Sequence, residues 1–150
     1  MDKVQKGVQL FHEKYGCLTR YKPTMPDPQT CLLRASLIIE EAAEFMSAAR
    51  NRNMEGMCDA LADLLYVTYG AAVVMGVDME PISDEVQRSN MTKDGGGKDS
   101  GGKIMKGPNF KKPDIAGILE KMKKILVENP ALPPDGPQMS FLFTGSQTIK

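Results

Sequence analysis

Apolar residues recur at helical spacing in several stretches of the chain, and no stretch shows the sustained alternation of a half-buried strand. Helices of the length that this pattern gives, joined by short connections, favour a bundle. The predicted fold class is therefore all-α, a four-helix bundle with a short additional C-terminal helix. The predicted helices cover residues 3–15, the stretch from a cap at Asp27 or Thr30 to Arg50, 54–75, 79–91 and 114–128.

Three segments between and after these helices have the composition of loops. TRYKPTMPDPQT (19–30) carries three prolines and predicts an extended connector. KDGGGKDSGGKIMK (93–106) is rich in glycine and charge, which predicts a mobile loop. The segment after residue 128, beginning NPALPPDGPQ, reads as a flexible tail. We therefore expect one domain over 1–128 and a tail over 129–150.

The amino-acid composition argues against some classes of binding partner. The 19 basic and 19 acidic residues cancel, which gives no electrostatic case for binding nucleic acid or membrane. The three cysteines show no CxxC spacing, so we expect reduced thiols. The N-terminus lacks the apolar run of a signal peptide, and the longest uncharged apolar segment, 64–77, is shorter than the roughly 20 residues that cross a bilayer. A cytoplasmic protein is expected.

The stretch LIIEEAAEFMSAA (37–49) sets acidic residues among apolar ones. On a helix with about 100° per residue, Glu40 and Glu44 share a stripe with apolar residues that should face the core, and Glu41 lies beside that stripe. In the next predicted helix, the apolar run MCDALADLLYVTYGAAVVMGV contains only two charges, Asp59 and Asp63, one turn apart. A helix that is apolar on every side is expected to be buried.

Buried like charges without a partner cost several kcal/mol per ion, so the acids require a positive counterpart. No lysine or arginine occurs between Arg52 and Arg88. A divalent cation would supply the charge, and hard oxygen ligands suit Mg²⁺, with Mn²⁺ possible. The alternative is that an isolated Glu-Glu pair is an ordinary solvated face. The predicted metal ligands are Glu40, Glu41, Glu44, Asp59 and Asp63.

The motif EExxE, followed on the next helix by an acidic pair ending in Asp, resembles the all-α nucleoside triphosphate pyrophosphatases. Within that group, DALADLLYVTYGAAVVMGVDMEPISDEVQRSNMTK and GKIMKGPNFKKPDI are most similar to MazG-like proteins with dUTPase-type activity and to phosphoribosyl-ATP pyrophosphohydrolase-like proteins. The resemblance covers residues 32–118. It implies hydrolysis between the α and β phosphates of a nucleotide, which gives a nucleoside monophosphate and pyrophosphate.

Family positions can be carried onto this sequence with one departure. Many members have ExxD on the second acidic helix, but Ala60 stands here at the position of the Glu. Asp59, one residue earlier, is inferred to replace it, which leaves the number of metal ions open. Glu41 is our choice for the general base, although the sequence does not separate it from Glu44.

Positive groups should reach the phosphates of a nucleotide, and Arg88, Lys93, Lys103 and Lys106 flank the glycine-rich segment. The resemblance further implies two substrate-binding residues there. Asn90 and Lys93, in NMTK, correspond to positions at the nucleotide, and a flexible loop beside them would act as a lid. Each lysine has an ordinary alternative as a solvated charge, and Tyr66 is as consistent with core packing as with contact to the sugar or base. The predicted substrate-binding residues are Tyr66, Arg88, Asn90, Lys93, Lys103 and Lys106.

Three functions remain open at this level. The first is a metal-dependent pyrophosphohydrolase acting on dUTP or related nucleotides; the second is a phosphoribosyl-ATP pyrophosphohydrolase of histidine biosynthesis; the third is a non-catalytic, metal-stabilised helical binding module. Family members commonly form dimers, so a homodimer or larger assembly is expected. The segment QMSFLF (138–143) resembles peptides that bind bacterial sliding clamps, although packing on a dimer partner or simple disorder is the favoured interpretation.

Overall fold

The computed structural model describes residues 1–128 and is all-α over that range, as predicted. The expected flexible tail and clamp-binding segment, 129–150 and 138–143, lie outside the described residues. The predicted helices agree with the structure to within about three residues at their ends. The helices are α1 (Lys3–Lys14), α2 (Pro28–Arg50), α3 (Met54–Met75), α4 (Met79–Asn90) and α5 (Ile115–Glu128).

Short polar side chains fix the N-termini of the first four helices. The Asp27 carboxylate accepts a hydrogen bond from the Thr30 backbone N–H at 3.0 Å, and Pro28 occupies the first turn, where a missing N–H costs nothing. Asp27, rather than Thr30, is therefore the cap of α2. Asp2, Asn53 and Asp78 cap α1, α3 and α4 in the same way. These caps explain why the helix starts were readable in the sequence.

The C-terminal half of α3 forms the centre of the core. α1 packs on this half, and the connector after α1 runs across its end, where Thr24 N–H donates to the Met75 carbonyl at 2.9 Å and Arg20 donates to the Val74 carbonyl at 2.7 Å. The buried Gln5 amide donates to the Val77 carbonyl at 2.7 Å and accepts from the Met79 N–H at 3.0 Å. Apolar residues buried here include Val8, Leu18, Ala72, Val73 and Val74.

α2 and α3 form an antiparallel hairpin, which is the most extensive helix pair of the described chain. Most residues in the N-terminal half of α3 are exposed to solvent. The prediction that α3 is buried on every side is therefore wrong. Apart from Ala60, its buried residues fall between Gly70 and Val74, and α2 has none. α4 packs chiefly on α5 rather than on the hairpin, so a four-helix bundle within one chain stays a prediction.

α3 contains most of the uncharged apolar segment 64–77 together with three acidic residues, Glu55, Asp59 and Asp63. Its 22 residues are long and apolar enough to cross a membrane by length and composition, a property that core helices of soluble proteins share. A cytoplasmic location stays a prediction.

The glycine-rich segment 93–106 forms a small hydrogen-bonded hairpin. Lys98 and Ile104 make an antiparallel bridge, and the Met105 N–H donates to the Gly97 carbonyl at 3.0 Å. The Asp99 carboxylate accepts from the N–H groups of Gly101 and Lys103 at 3.0 and 2.9 Å, which closes the tip. The mobility of this segment stays a prediction, since its internal hydrogen bonds are compatible with movement as a unit.

Replacement of Gly76 by alanine should destabilise the fold more than the same change at Gly16. The backbone of both glycines is in the left-handed region, with φ of 66° at Gly76 and 67° at Gly16. A Cβ at Gly76 would collide with the backbone of Lys22, whereas a Cβ at Gly16 would meet open space. We expect Gly16→Ala to cost about 1–2 kcal/mol from conformation alone and Gly76→Ala clearly more, measured by urea denaturation. Equal losses would show that the contact between the connector and α3 is soft.

Candidate active site

The register of the α2–α3 hairpin brings the predicted acids of the two helices together. A Cβ on Gly56 would lie 3.2 Å from the Cβ of Ala48, so these two positions face each other. Because the helices are antiparallel, seven residues further along, two helical turns, Glu41 comes opposite Asp63. The acidic residues of both helices therefore share one region of the hairpin.

Glu41 is the centre of this acidic cluster, which comprises the five predicted ligands. Loss of hydration raises the pKa of Glu41, and the negative charges of the other members raise it further, in the order Glu44, Asp63, Glu40 and Asp59. Every member of the cluster thus acts on Glu41 electrostatically, and each makes its ionised form less favourable. The repulsion that the sequence pattern predicted is present in the folded chain.

The cluster faces solvent rather than a closed interior, and this corrects the prediction for the acidic stripe. Glu40, Glu44, Asp59 and Asp63 are exposed, and only Glu41 is half-buried. The half-buried stripe of α2 follows Arg34, Ile38, Glu41, Phe45 and Ala48, so Glu41 lies on it and not beside it. Apolar residues surround α2 on most sides, which is why the sequence pattern misplaced the stripe by about one residue.

The single chain does not hold these carboxylates in ligating positions. Within residues 1–128, no three His, Cys, Asp or Glu side chains stand close enough to bind one metal ion. The donor set itself, carboxylate oxygens on two facing helices, matches hard divalent cations. Ala60, the departure from the family pattern, is buried between the helices with 3% exposure, while Asp59 is exposed beside it. The cluster fits a magnesium-type ion in chemistry and neighbourhood, and ligation would require side-chain rotation.

Arg34 is a residue near the cluster that the sequence reasoning missed. It lies seven residues before Glu41 on the same stripe, and one of its terminal nitrogens would be 3.2 Å from a Cβ on Gly70. His12 of α1 packs at the same position, with its Nε2 3.3 Å from a Cβ on Gly70. The Nδ1 of His12 lies 3.0 Å from the Leu18 carbonyl oxygen. The spacing of seven between Arg34 and Glu41 was the available signal.

Tyr66 lies between the acidic cluster and Arg34. It follows Asp63 by one turn, and its ring packs edge-on against Phe11 with the ring centroids 5.7 Å apart. Phe11 in turn packs on Tyr15 at 4.6 Å. The Tyr66 side chain remains 39% exposed, so packing on α1 leaves part of the ring free for another contact. The two interpretations offered by the sequence are thus compatible.

The other predicted substrate-binding residues lie on α4 and the hairpin 93–106. Arg88 is occupied, since its guanidinium makes two 2.7 Å hydrogen bonds to Glu85 and one of 3.3 Å to the Lys112 carbonyl. The two bonds from Arg88, with one from the Asp114 N–H, lower the pKa of Glu85 to about 2. To bind substrate, Arg88 would have to leave this arrangement.

The side chains of Asn90 and the three lysines make fewer polar contacts than the side chain of Arg88. Lys106 lies 4.6 Å from the Phe110 ring, and Lys93 and Lys103 use only backbone groups in the contacts seen here. Within residues 1–128, no hydrogen bond or ion pair joins any of these four residues to the acidic cluster. The single chain does not bring the predicted phosphate-binding residues and the predicted metal ligands into contact.

Comparison with known proteins covers the part of the chain that contains the cluster. The chain is 41% identical over 79 residues to "Uncharacterized protein L479" of Acanthamoeba polyphaga mimivirus. That match includes 50% of this chain and 32% of the relative, so the chain spans about a third of the relative's length. The family model described as phosphoribosyl-ATP pyrophosphohydrolase matches residues 8–90, more than half of the 150 residues, from the middle of α1 to the end of α4. The chain therefore belongs to the phosphoribosyl-ATP pyrophosphohydrolase family and, with it, to the all-α NTP pyrophosphatase superfamily.

Proposed function

We propose that this protein is a divalent-cation-dependent nucleotide pyrophosphohydrolase that cleaves dUTP or a related deoxynucleotide between the α and β phosphates. The observation that carries the proposal is the half-buried Glu41 opposite Asp63, with four other carboxylates acting on it, inside the segment that matches the family. An all-acidic site does not attract a polyphosphate by itself. The site can bind a nucleotide when divalent cations bridge its carboxylates and the phosphates.

The acidic cluster would hold Mg²⁺, with Mn²⁺ as a chemical alternative, through the carboxylates of Glu40, Glu44, Asp59 and Asp63. When bound, the cation would neutralise phosphate charge and stabilise the charge that develops at the α-phosphorus. The family is typically dependent on divalent metals. A site open to solvent suits this role, because the nucleotide must enter together with or after the ion.

Glu41 would act as the general base. Its raised pKa makes its carboxylate a stronger proton acceptor than an ordinary glutamate, and its position on the α3-facing stripe keeps it partly shielded from water. In the proposed step, Glu41 takes a proton from water, the water oxygen bonds to the α-phosphorus, and the bond from that phosphorus to the bridging oxygen breaks. Pyrophosphate leaves, and the nucleoside monophosphate remains.

The hairpin 93–106 would supply positive charge to the phosphates. Lys93, Lys103 and Lys106 project from it, and Asn90 stands at its base on α4. Because these residues do not contact the acidic cluster in the single chain, the proposal requires the hairpin to move or to come from a second copy of the chain. By either route, the lysines would approach the acids only when the phosphates of a substrate lie between them.

We also propose that a second copy covers the open face of the α2–α3 hairpin. This face and its surroundings expose large apolar side chains that a monomer would leave in water. Pairing of two such hairpins would complete a four-helix bundle and enclose the acids. The exposed apolar residues on the two helices include Leu32, Leu33, Ile39, Met46, Leu61 and Leu65.

Two alternatives share much of this evidence. The family description names phosphoribosyl-ATP, whose cleavage breaks the same kind of phosphoric anhydride bond, and the same acids would serve it. A non-catalytic metal-binding module would keep the acids but need no general base. Substrate preference and the requirement for Glu41 distinguish the three functions.

Pyrophosphate release from a nucleotide panel tests the reaction. With Mg²⁺, we expect dUTP to be cleaved to dUMP and pyrophosphate, and Glu41→Gln to lower kcat by about 10²- to 10⁴-fold because the base is lost. Glu55→Gln, at an exposed acid in the first turn of α3, serves as the matched control. Faster cleavage of phosphoribosyl-ATP would favour the histidine-biosynthesis alternative, and full activity in Glu41→Gln would remove the general base proposed here.

Thermal unfolding with and without Mg²⁺ tests the metal site independently of activity. At an ion concentration about 100 times the Kd, binding should stabilise the native protein by about 2.7 kcal/mol. Asp63→Asn should abolish the rise in Tm because it removes a ligand opposite Glu41. Asp84→Asn, at an exposed acid of α4, should keep it. An equal Mg²⁺ response in both variants would place the ion elsewhere.

Molar mass by light scattering tests the second copy. Wild-type protein should be a dimer or larger, and Leu65→Glu should shift it towards monomer because a buried unpaired charge costs several kcal/mol. Leu10→Glu, at a 65% exposed residue of α1, is the matched control and should leave the mass unchanged. A monomeric wild-type protein at high concentration would contradict the proposed pairing.

A further inference from the structure

Arg34 differs from the other arginines with described contacts. Arg20 donates to the Val74 carbonyl, Arg88 to Glu85, and Arg50 to the Met46 sulfur at 3.4 Å. The Arg34 Nε is closed to solvent and has no hydrogen-bond partner. No carboxylate of the described chain makes an ion pair with its guanidinium. Within residues 1–128, Arg34 is thus a half-buried cation with no carboxylate in ion-pair contact.

Such a group is unfavourable for stability. Loss of hydration lowers the pKa of Arg34, which shows that its charged form is less well solvated than in water. Arginine nevertheless stays protonated, so the cost of the desolvated charge remains in the folded protein. Nε is the one nitrogen of Arg34 that is closed to solvent without a partner in the described chain, and the residue as a whole is half-buried. A ligand acceptor could therefore compensate this charge at the terminal nitrogens.

Three features follow one another along the hairpin. The acidic cluster surrounds Asp63, the partly exposed ring of Tyr66 comes one turn later, and Arg34 faces Gly70 one turn beyond that. The distance along the helix axis from Asp63 to Gly70 is about 10 Å. A nucleotide whose phosphates lie at the acids would place its base over Tyr66 and the far edge of that base at Arg34.

We propose that Arg34 determines base specificity by donating a hydrogen bond to a keto oxygen on the edge of a pyrimidine base that lies farthest from the sugar. This inference rests on the proposed function. Uracil carries a carbonyl oxygen at that ring position, and cytosine carries an amino group. Arginine has only donors, so it pairs with the carbonyl and is left unpaired against the amino group. The structure thus favours dUTP over dCTP.

His12 and Gly70 act as positioning residues for Arg34. A carbonyl oxygen only accepts, so the hydrogen bond to Leu18 requires the proton of His12 on Nδ1 and leaves Nε2 as an acceptor beside the guanidinium. Burial lowers the pKa of His12 and the charge of Arg34 lowers it further, against the opposing effect of the Leu18 hydrogen bond, so the neutral imidazole is favoured. Gly70 leaves the space that both side chains occupy, since a Cβ there would crowd each of them.

The test compares kcat/KM for dUTP and dCTP in Arg34→Met, Arg34→Lys and the control Arg50→Met. Arg34→Met should lower kcat/KM for dUTP by about tenfold or more, the loss expected for a charge-assisted hydrogen bond, with little change for dCTP. It should also raise Tm, because it replaces an unpaired, desolvated cation by an apolar side chain of similar length. Arg34→Lys should keep part of the preference. Arg50→Met should change neither ratio nor Tm appreciably.

The outcomes separate this proposal from the proposed function. Equal losses for both nucleotides, or a lowered Tm in Arg34→Met, would show that Arg34 is structural and would overturn the specificity role. If the wild-type protein cleaves neither nucleotide, the proposed function fails. Binding of dUMP and dCMP, measured by calorimetry, still tests Arg34 in that case. Weaker binding of dUMP in Arg34→Met, with dCMP unchanged, supports the role, and the same affinities as wild type refute it.

Discussion

The antiparallel contact between α2 and α3 determines where every proposed functional group lies. Small residues, Ala48 and Gly56, let the two helices approach closely at one end, and the constant rise of both helices then fixes each pair further along. Glu41 comes opposite Asp63 and Arg34 opposite Gly70 as consequences of that register. A shift by one residue would rotate the acids of one helix away from those of the other. The register therefore determines which side chains could together bind a metal ion or a nucleotide.

Stability and proposed chemistry occupy different halves of α3. The C-terminal half is surrounded by α1, the connector and the turn to α4, and its end is fixed by Gly76 and by the hydrogen bonds of Gln5. The N-terminal half carries Asp59 and Asp63 and is open on one side. Repulsion among acids is tolerable there because solvent screens exposed charges more effectively than buried ones. The core stabilises the helix while leaving its other end free to present carboxylates.

The sequence predicted the features that depend on local chemistry and missed those that depend on tertiary contact. The start of α2 was predictable to within three residues, at Asp27 or Thr30, because a cap is a property of neighbouring residues. The face of α2 that meets α3 was placed about one residue away, because apolar residues on several sides of that helix leave its periodicity ambiguous. The spacing of seven places Arg34 on the same stripe as Glu41, but its lack of a hydrogen-bond partner is a tertiary property that the sequence does not show.

The exposure of the acids changes what the site requires. A pocket enclosed within one chain would demand a resident cation for folding, whereas an open cluster permits the apo protein to fold and leaves the cation for the substrate complex. The remaining enclosure would come from a second copy packed on the apolar face around Leu65 and from the lysine-bearing hairpin 93–106, whose lysines make no hydrogen bond or ion pair with the cluster within residues 1–128. Assembly, cation and nucleotide would then each complete part of one site. Such coupling keeps the acids and lysines apart until a polyphosphate is present to bridge them.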